Sequence, residues 1–159
     1  MSDQQWMARC VELAHAAADS GNYALGAVVV REGIEIARSQ SALIHTPDPS
    51  AHPELVAIRE AAEKLDSRYL NDCVLYSTLE PCPMCTSAAI WAKMSRIVFG
   101  ASQGEALEWA LAHPDPVYTW RQILIPAEVV AAAGNPHVEV HGGVMSAECK
   151  ALFELKSKV

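Results

Sequence analysis

Two apolar runs on either side of one helical pattern constrain this chain more than any other feature. Asp72 to Thr78 reads as a buried strand, Cys82 to Lys93 as a helix, and Arg96 to Gly100 as a further strand. Strands alternating with helices imply crossover connections and a sheet covered on both faces. Upstream, Trp6, Met7, Cys10, Val11, Leu13, Ala14 and Ala17 fall at helical spacing within Gln4 to Ala18, and Ser20-Gly21 ends that segment. Ala27 to Val30, the turn signal Glu32-Gly33 and the alternating Ile34-Glu35-Ile36 predict a β-hairpin. A polar loop from His45 to Ser50 leads into a helix from about His52 to Lys64.

Downstream, Gln103 to Leu111 is a helix candidate broken by His113-Pro114-Asp115-Pro116, and Ile123 to Ile125 is a short strand candidate. Val138-Glu139-Val140 alternates like another strand, and Ser146 is placed to cap a terminal helix reaching Lys156. No repeat, low-complexity stretch or linker divides the chain, so residues 1–159 are expected to form a single catalytic domain.

Composition excludes some classes of function. With 51% hydrophobic and 19% charged residues, disorder is ruled out as a reading. The excess of Ala and Val fits either an Ala-rich core or a buried subunit interface. A net charge of −7 argues against nucleic acid as the main partner, because affinity for a phosphate backbone comes largely from basic residues. The mild basic cluster is Lys150, Lys156 and Lys158. Without a signal-like start or a membrane-length apolar run, the expected location is cytoplasmic, with no membrane partner. The five cysteines are odd in number, and Cys82-Pro83-Met84-Cys85 reads as metal or redox chemistry, not as a disulfide framework.

The chemistry is carried at two helix starts, His52-Pro53-Glu54 and Pro81-Cys82-Pro83-Met84-Cys85. One imidazole and two thiolates make three metal ligands and leave a position open for water, as in catalytic zinc sites. Helix N-termini favour thiolate over thiol and steady a carboxylate. Zinc lowers the pKa of water towards neutrality, and Glu54 lies close enough to move protons as general acid and base. The pairing of His-x-Glu with Pro-Cys-x-x-Cys is the signature of zinc nucleobase deaminases.

Around that signature, Gly26-Ala27-Val28-Val29-Val30, Asp48-Pro49-Ser50-Ala51-His52, Ala57-Ile58-Arg59, the run from Leu75 to Cys85 and Val98-Phe99-Gly100 resemble the cytidine-deaminase-like superfamily. The likeness is nearest to bacterial guanine deaminases, cytosine deaminases and tRNA adenosine deaminases. It covers residues 4 to 101 and, less closely, Gly143 to Phe153. The resemblance implies an α/β fold, a three-layer α/β/α sandwich on a central five-stranded mixed sheet, and usually a homodimer. It also implies Zn2+ held by His52, Cys82 and Cys85, with Glu54 as the catalytic residue. The expected activity is hydrolytic removal of an exocyclic amino group from a small heterocyclic base, with release of ammonia.

Two positions depart from the family. Relatives commonly carry Ala or Gly where Pro53 stands, with a backbone N–H facing the base that proline lacks. Proline in a first helical turn is also structurally favourable. Ser41 stands where relatives such as guanine deaminases place an Asn whose amide reads the base. Fewer amide donors point to an altered or broad preference, reaching to isocytosine, aza-pyrimidines or amino-triazines.

Glu80 matches a pocket-lining position and reads equally as an outer carboxylate. Leu25 reads as a contact to the base face or as plain core. Trp91 reads as core or dimer interface, while Trp109, Tyr118 and Trp120 read as core packing with one of them able to close the pocket. His45, His113, His137 and His141 lack ligand spacing, and His45 draws interest because its loop enters the metal helix. Cys10, Cys73 and Cys149 read as small buried hydrophobes. The rivals to a base deaminase are tRNA adenosine editing, a non-catalytic zinc-binding partner subunit and thiol redox chemistry.

Overall fold

A computed structural model describes residues 1–117 and 119–155. Tyr118, Lys156 and Lys158 lie outside the described residues. The chain opens with α1 (Asp3–Asp19), where the Ser2 hydroxyl accepts from the Gln5 amide and the Gln5 side chain accepts from Ser2 N. That reciprocal pair satisfies two of the amides a helix start otherwise leaves unbonded. β1 (Gly26–Arg31) and β2 (Ile34–Gln40) form the expected antiparallel hairpin. Its turn places Glu32 at φ 51° and Gly33 at φ 74°, the left-handed pair that a two-residue hairpin loop requires. At Gly26, a Cβ would stand 2.3 Å from the Cys10 carbonyl oxygen, so glycine lets α1 lie directly on β1.

α2 (Pro53–Lys64) is followed by β3 (Cys73–Leu79), α3 (Pro83–Trp91) and β4 (Arg96–Ala101). Then come α4 (Gln103–Ala112), α5 (Ala127–Ala133), β5 (Glu139–His141) and α6 (Ser146–Ala151), with a 3-10 turn over Leu152–Glu154. The five strands run in the order β2-β1-β3-β4-β5. β1 is antiparallel to β2 and β3, whereas β4 is parallel to β3 and β5. The sheet is therefore mixed, and it sits in a three-layer α/β/α arrangement. One buried cluster joins Ala57, Ile58 and Ala61 of α2 and Ala89 of α3 to Val29, Leu75 and Ile97. The other joins Trp6, Met7 and Cys10 of α1, Ala106 of α4 and Cys149 of α6 to Val28, Tyr76 and Val98.

The structure corrects three expectations in the second half and adds one element. Ile123 to Ile125 is not a strand: the Ile125 amide folds back onto the Ile123 carbonyl at 2.8 Å, and the three side chains are exposed. The β4 edge it would have needed is already occupied by β5. α5 is an element that periodicity did not disclose, bounded by Pro126 and Gly134. Ser146 begins α6 without capping it, because Met145 takes the cap position at φ 53°. Trp91 is 82% exposed and so is not core. Two residues beyond inward-facing Ala89, it lies about 200° further round the helix.

Trp120 and Trp109 pack against neighbouring rings. Trp120 is buried, edge-on to both Tyr23 and Phe153 at 5.3 and 5.2 Å between ring centroids. Trp109 is half-buried and stacks on His113 at 4.2 Å. Cys10, Cys73 and Cys149 are buried as free thiols. Among the described residues, no helix is long and apolar enough to cross a membrane.

Candidate active site

β3 delivers Glu80, Pro81 and Cys82 at its C-terminal end, and Cys82 becomes the N-cap of α3. The other helix start arrives through a tight approach. Asp48 Oδ1 accepts from the Ser50 amide at 2.8 Å and the Ser50 hydroxyl at 2.7 Å, and the His52 amide then donates to Ser50 O at 2.7 Å. That turn, of the kind Asp favours, sets His52 as the N-cap of α2. The His52 and Cys82 carbonyls accept the first helical bonds, from Val56 and Thr86 at 3.0 and 2.9 Å. Neither side chain caps its helix. Both face each other instead, with His52 Nδ1 3.6 Å from Cys82 Sγ.

Donor atoms of His52, Cys82 and Cys85 lie within 4.8 Å of one another. Two sulfurs and an imidazole nitrogen in so small a volume fit zinc, and three donors from the protein leave a fourth position. The Cys85 thiol bonds to Cys82, which, aided by His52 and against the cost of burial, holds Cys82 down to about 4. The same bond and burial push Cys85 up. His52 is raised by its bond to Cys82, with burial opposing. A nearby cation would favour both thiolates.

Glu54 stands in the first turn of α2 and is 5% exposed. Burial pushes its carboxyl upwards, and its own backbone amide and Ser77 pull in the other direction. Ser77 Oγ lies 2.8 Å from Glu54 Oε1 and 2.7 Å from the Leu79 carbonyl oxygen. Pro53 is buried at the first position of α2, where an absent N–H costs the helix nothing.

Leu25 and Ser41 lie at the same end of the sheet as Cys82. Gly26 pairs with Gln40, Ala27 pairs with Ser77, and the Gly26 amide donates to Thr78 Oγ1 at 3.3 Å. One residue outside that register, the Ser41 amide donates to the Leu25 carbonyl at 3.0 Å. Leu25 is half-buried and packs against the cluster beneath α1. Ser41 is 1% exposed, and its hydroxyl has no hydrogen-bond partner among the described residues.

Glu80 is buried, and both carboxylate oxygens are engaged by the protein itself. Oε1 accepts from the Gln103 amide at 2.9 Å and Oε2 from the Ala127 amide at 2.8 Å. Those amides open α4 and α5, so one carboxylate faces the positive ends of two helices. His45 is exposed, its Nδ1 3.3 Å from Asn22 Oδ1, which also accepts from the Ile44 amide at 3.1 Å. Sequence reasoning passed over Ser77 and Asn22, and a lone serine in an otherwise apolar buried strand was the available signal for Ser77. A cleft of about 490 Å³ lined by residues including Asn71, Lys93 and His137 lies at the opposite end of the sheet, away from these groups.

Residues 1–101 match the cytidine and deoxycytidylate deaminase zinc-binding region. A guanine deaminase from Bacillus subtilis is 36% identical over 129 residues, spanning 80% of this chain and 81% of that protein. A tRNA-specific adenosine deaminase from Aquifex aeolicus is 35% identical over 101 residues, 64% of this chain and 67% of the relative. Among solved structures, a deaminase that edits A34 at the wobble position of transfer RNA superposes with a TM-score of 0.74 at 28% identity, covering 93% of this chain and 98% of the other. The match spans both helix starts and the strands between them: this chain belongs to the zinc-dependent deaminase family defined by the cytidine and deoxycytidylate deaminase zinc-binding region.

Proposed function

We propose that this protein is a hydrolytic deaminase of a small free heterocyclic base, with zinc held by His52, Cys82 and Cys85 and with Glu54 as its acid–base residue. The observation that carries the reading is the meeting of three metal donors within 4.8 Å beside a desolvated carboxylate at the same end of the sheet. Zinc bound there would supply an activated water close to neutral pH. Glu54 would move one proton from water to a ring nitrogen as the carbon–oxygen bond forms, and a second to the amine as the carbon–nitrogen bond breaks and ammonia leaves. Burial keeps competing water away from the carboxylate and strengthens its interactions.

Substrate choice falls to Leu25, Ser41 and Pro53, with Leu25 against the base face. A buried hydroxyl without a partner is costly in the empty protein, and a base edge reaching Ser41 would relieve that cost. Pro53 offers no amide to a base carbonyl. Both features support a relaxed preference that takes in guanine- and cytosine-like bases, isocytosine, aza-pyrimidines and amino-triazines. The net charge of −7 supports a free base over a polynucleotide. Glu80 takes no part in binding on this reading, because its oxygens are committed to two helix amides. The reading includes a homodimer, with exposed Trp91 as the first contact to test by sedimentation of Trp91→Glu.

Ammonia release by the zinc-loaded protein, measured across free bases and their nucleosides, tests the proposal. Turnover of free bases that disappears in Glu54→Gln while zinc is retained is the expected outcome. A second reading, tRNA adenosine editing, draws on the 35% identical Aquifex relative. Silence on every free base together with salt-dependent tRNA binding would establish it instead.

A further inference from the structure

Resting on the deaminase reading, we propose that Ser77 is a positioning residue for Glu54, one hydroxyl that fixes where the carboxylate stands. Ser77 is 1% exposed in the central strand β3, between Tyr76 and Thr78, and its backbone pairs with Ala27 across the sheet. Its oxygen meets two acceptors, Glu54 Oε1 at 2.8 Å and the Leu79 carbonyl oxygen at 2.7 Å. A serine hydroxyl carries a single hydrogen and two lone pairs. That hydrogen is shared between Oε1 and Leu79 O, so the hydroxyl ties the carboxylate to the backbone of its own strand.

A general acid–base residue has to keep its carboxylate aligned with the groups it exchanges protons with. Glu54, at 5% exposure, has little solvent available to reorient around it. A hydroxyl already in place orients the carboxylate in that solvent's stead, which is the meaning of preorganisation here. Alanine at this position would leave the carboxylate to find its orientation from its own backbone amide alone.

The test compares Ser77→Ala and Ser77→Thr with the unaltered zinc-loaded protein. Ser77→Ala is expected to lower kcat by about 10- to 100-fold, the range for losing an outer partner of a catalytic group. KM should stay within about twofold and zinc content should not change, while Ser77→Thr should restore most of kcat. A second measurement needs no turnover: unfolding of the metal-free protein in a cycle of Ser77→Ala and Glu54→Ala. The Ser77 substitution should shift the unfolding constant by about tenfold with Glu54 present and by much less without it. An active protein whose Ser77→Ala variant keeps kcat within twofold overturns the inference alone, as does an additive cycle. A kcat loss matched by an equal loss of zinc overturns it too, since that is a folding defect. Failure of the unaltered protein to release ammonia from any base overturns the deaminase reading, and this inference with it.

Discussion

α1 and α4 begin one way, α2 and α3 another. Ser2 and Ser102 each accept from the third amide of their helix, and Gln5 and Glu105 reach back to the cap amide, a closed exchange at each start. His52 and Cys82 occupy the same cap position in α2 and α3 and give their helices nothing from the side chain. Each is followed instead by proline, which removes one of the amides that would have needed a partner. A capping side chain contributes about 1 kcal/mol to its helix. Two of the four starts forgo that stabilisation, and they are the two whose cap side chains meet across 3.6 Å. α5 and α6 also begin without a side-chain cap, so what sets α2 and α3 apart is that their cap side chains face one another.

Exchanging the two kinds of start should give opposite outcomes. The largest effect is expected from Cys82→Ser, which turns a ligand into a cap. Zinc content and ammonia release should fall by more than the roughly 100-fold that losing an outer partner costs. The unfolding midpoint of the metal-free protein should hold or rise by the equivalent of about 1 kcal/mol. Retention of stoichiometric zinc would break the comparison. Next in size, Pro53→Ala restores an amide to the start of α2. It should lower stability by about 0.4–1 kcal/mol through the unfolded chain, and it should raise kcat/KM about tenfold for bases that place a carbonyl there. A uniform change across all bases would count against a substrate role for that position. Ser102→Ala, at a start that serves only its helix, should cost about 1 kcal/mol and leave zinc and kcat untouched.

The smallest effect concerns pH. In the first turn of α1, Asp3 accepts from Arg96 at 2.7 and 3.0 Å and from the Tyr76 hydroxyl at 2.7 Å. The Arg96 bond foremost lowers its carboxyl below the usual value, although burial opposes. A carboxyl lowered on folding stabilises the native state above its unfolded pKa, and that contribution disappears as pH falls through the folded value. With Asp3 35% exposed the contribution is screened to under about 1 kcal/mol. Denaturant titrations between about pH 5 and 2 should show this loss in the unaltered protein and a flatter profile in Asp3→Asn.

The sequence made one part of this legible and hid the rest for a physical reason. His52, Cys82 and Cys85 announce themselves because a metal demands particular atoms at particular spacings, and Glu54 by its place two residues after His52. The hairpin and the crossover from β3 to β4 follow from apolar periodicity and turn residues. What eluded reading depends on partners distant along the chain. Ser77 meets Glu54 across 23 residues, and the two amides on Glu80 lie 23 and 47 residues further on. α5 is a short run of Ala and Val whose helical state is settled by packing, with Ala127 and Ala131 turned inward. Ile123 to Ile125 has strand-forming residues but folds back on itself instead of pairing with the sheet.

The carboxylate of Glu80 has a consequence for how this fold can change. The chain leaves it at Gln103 and comes back to it at Ala127, so everything between those amides is a detour that starts and finishes at one point. Lengthening such a detour costs little free energy per added residue, and neither mooring needs to shift when it happens. The single residue between Glu80 and Cys82, Pro81, thus marks a boundary between parts that can evolve at different speeds: the His-Cys-Cys cluster on one side, an exchangeable excursion on the other.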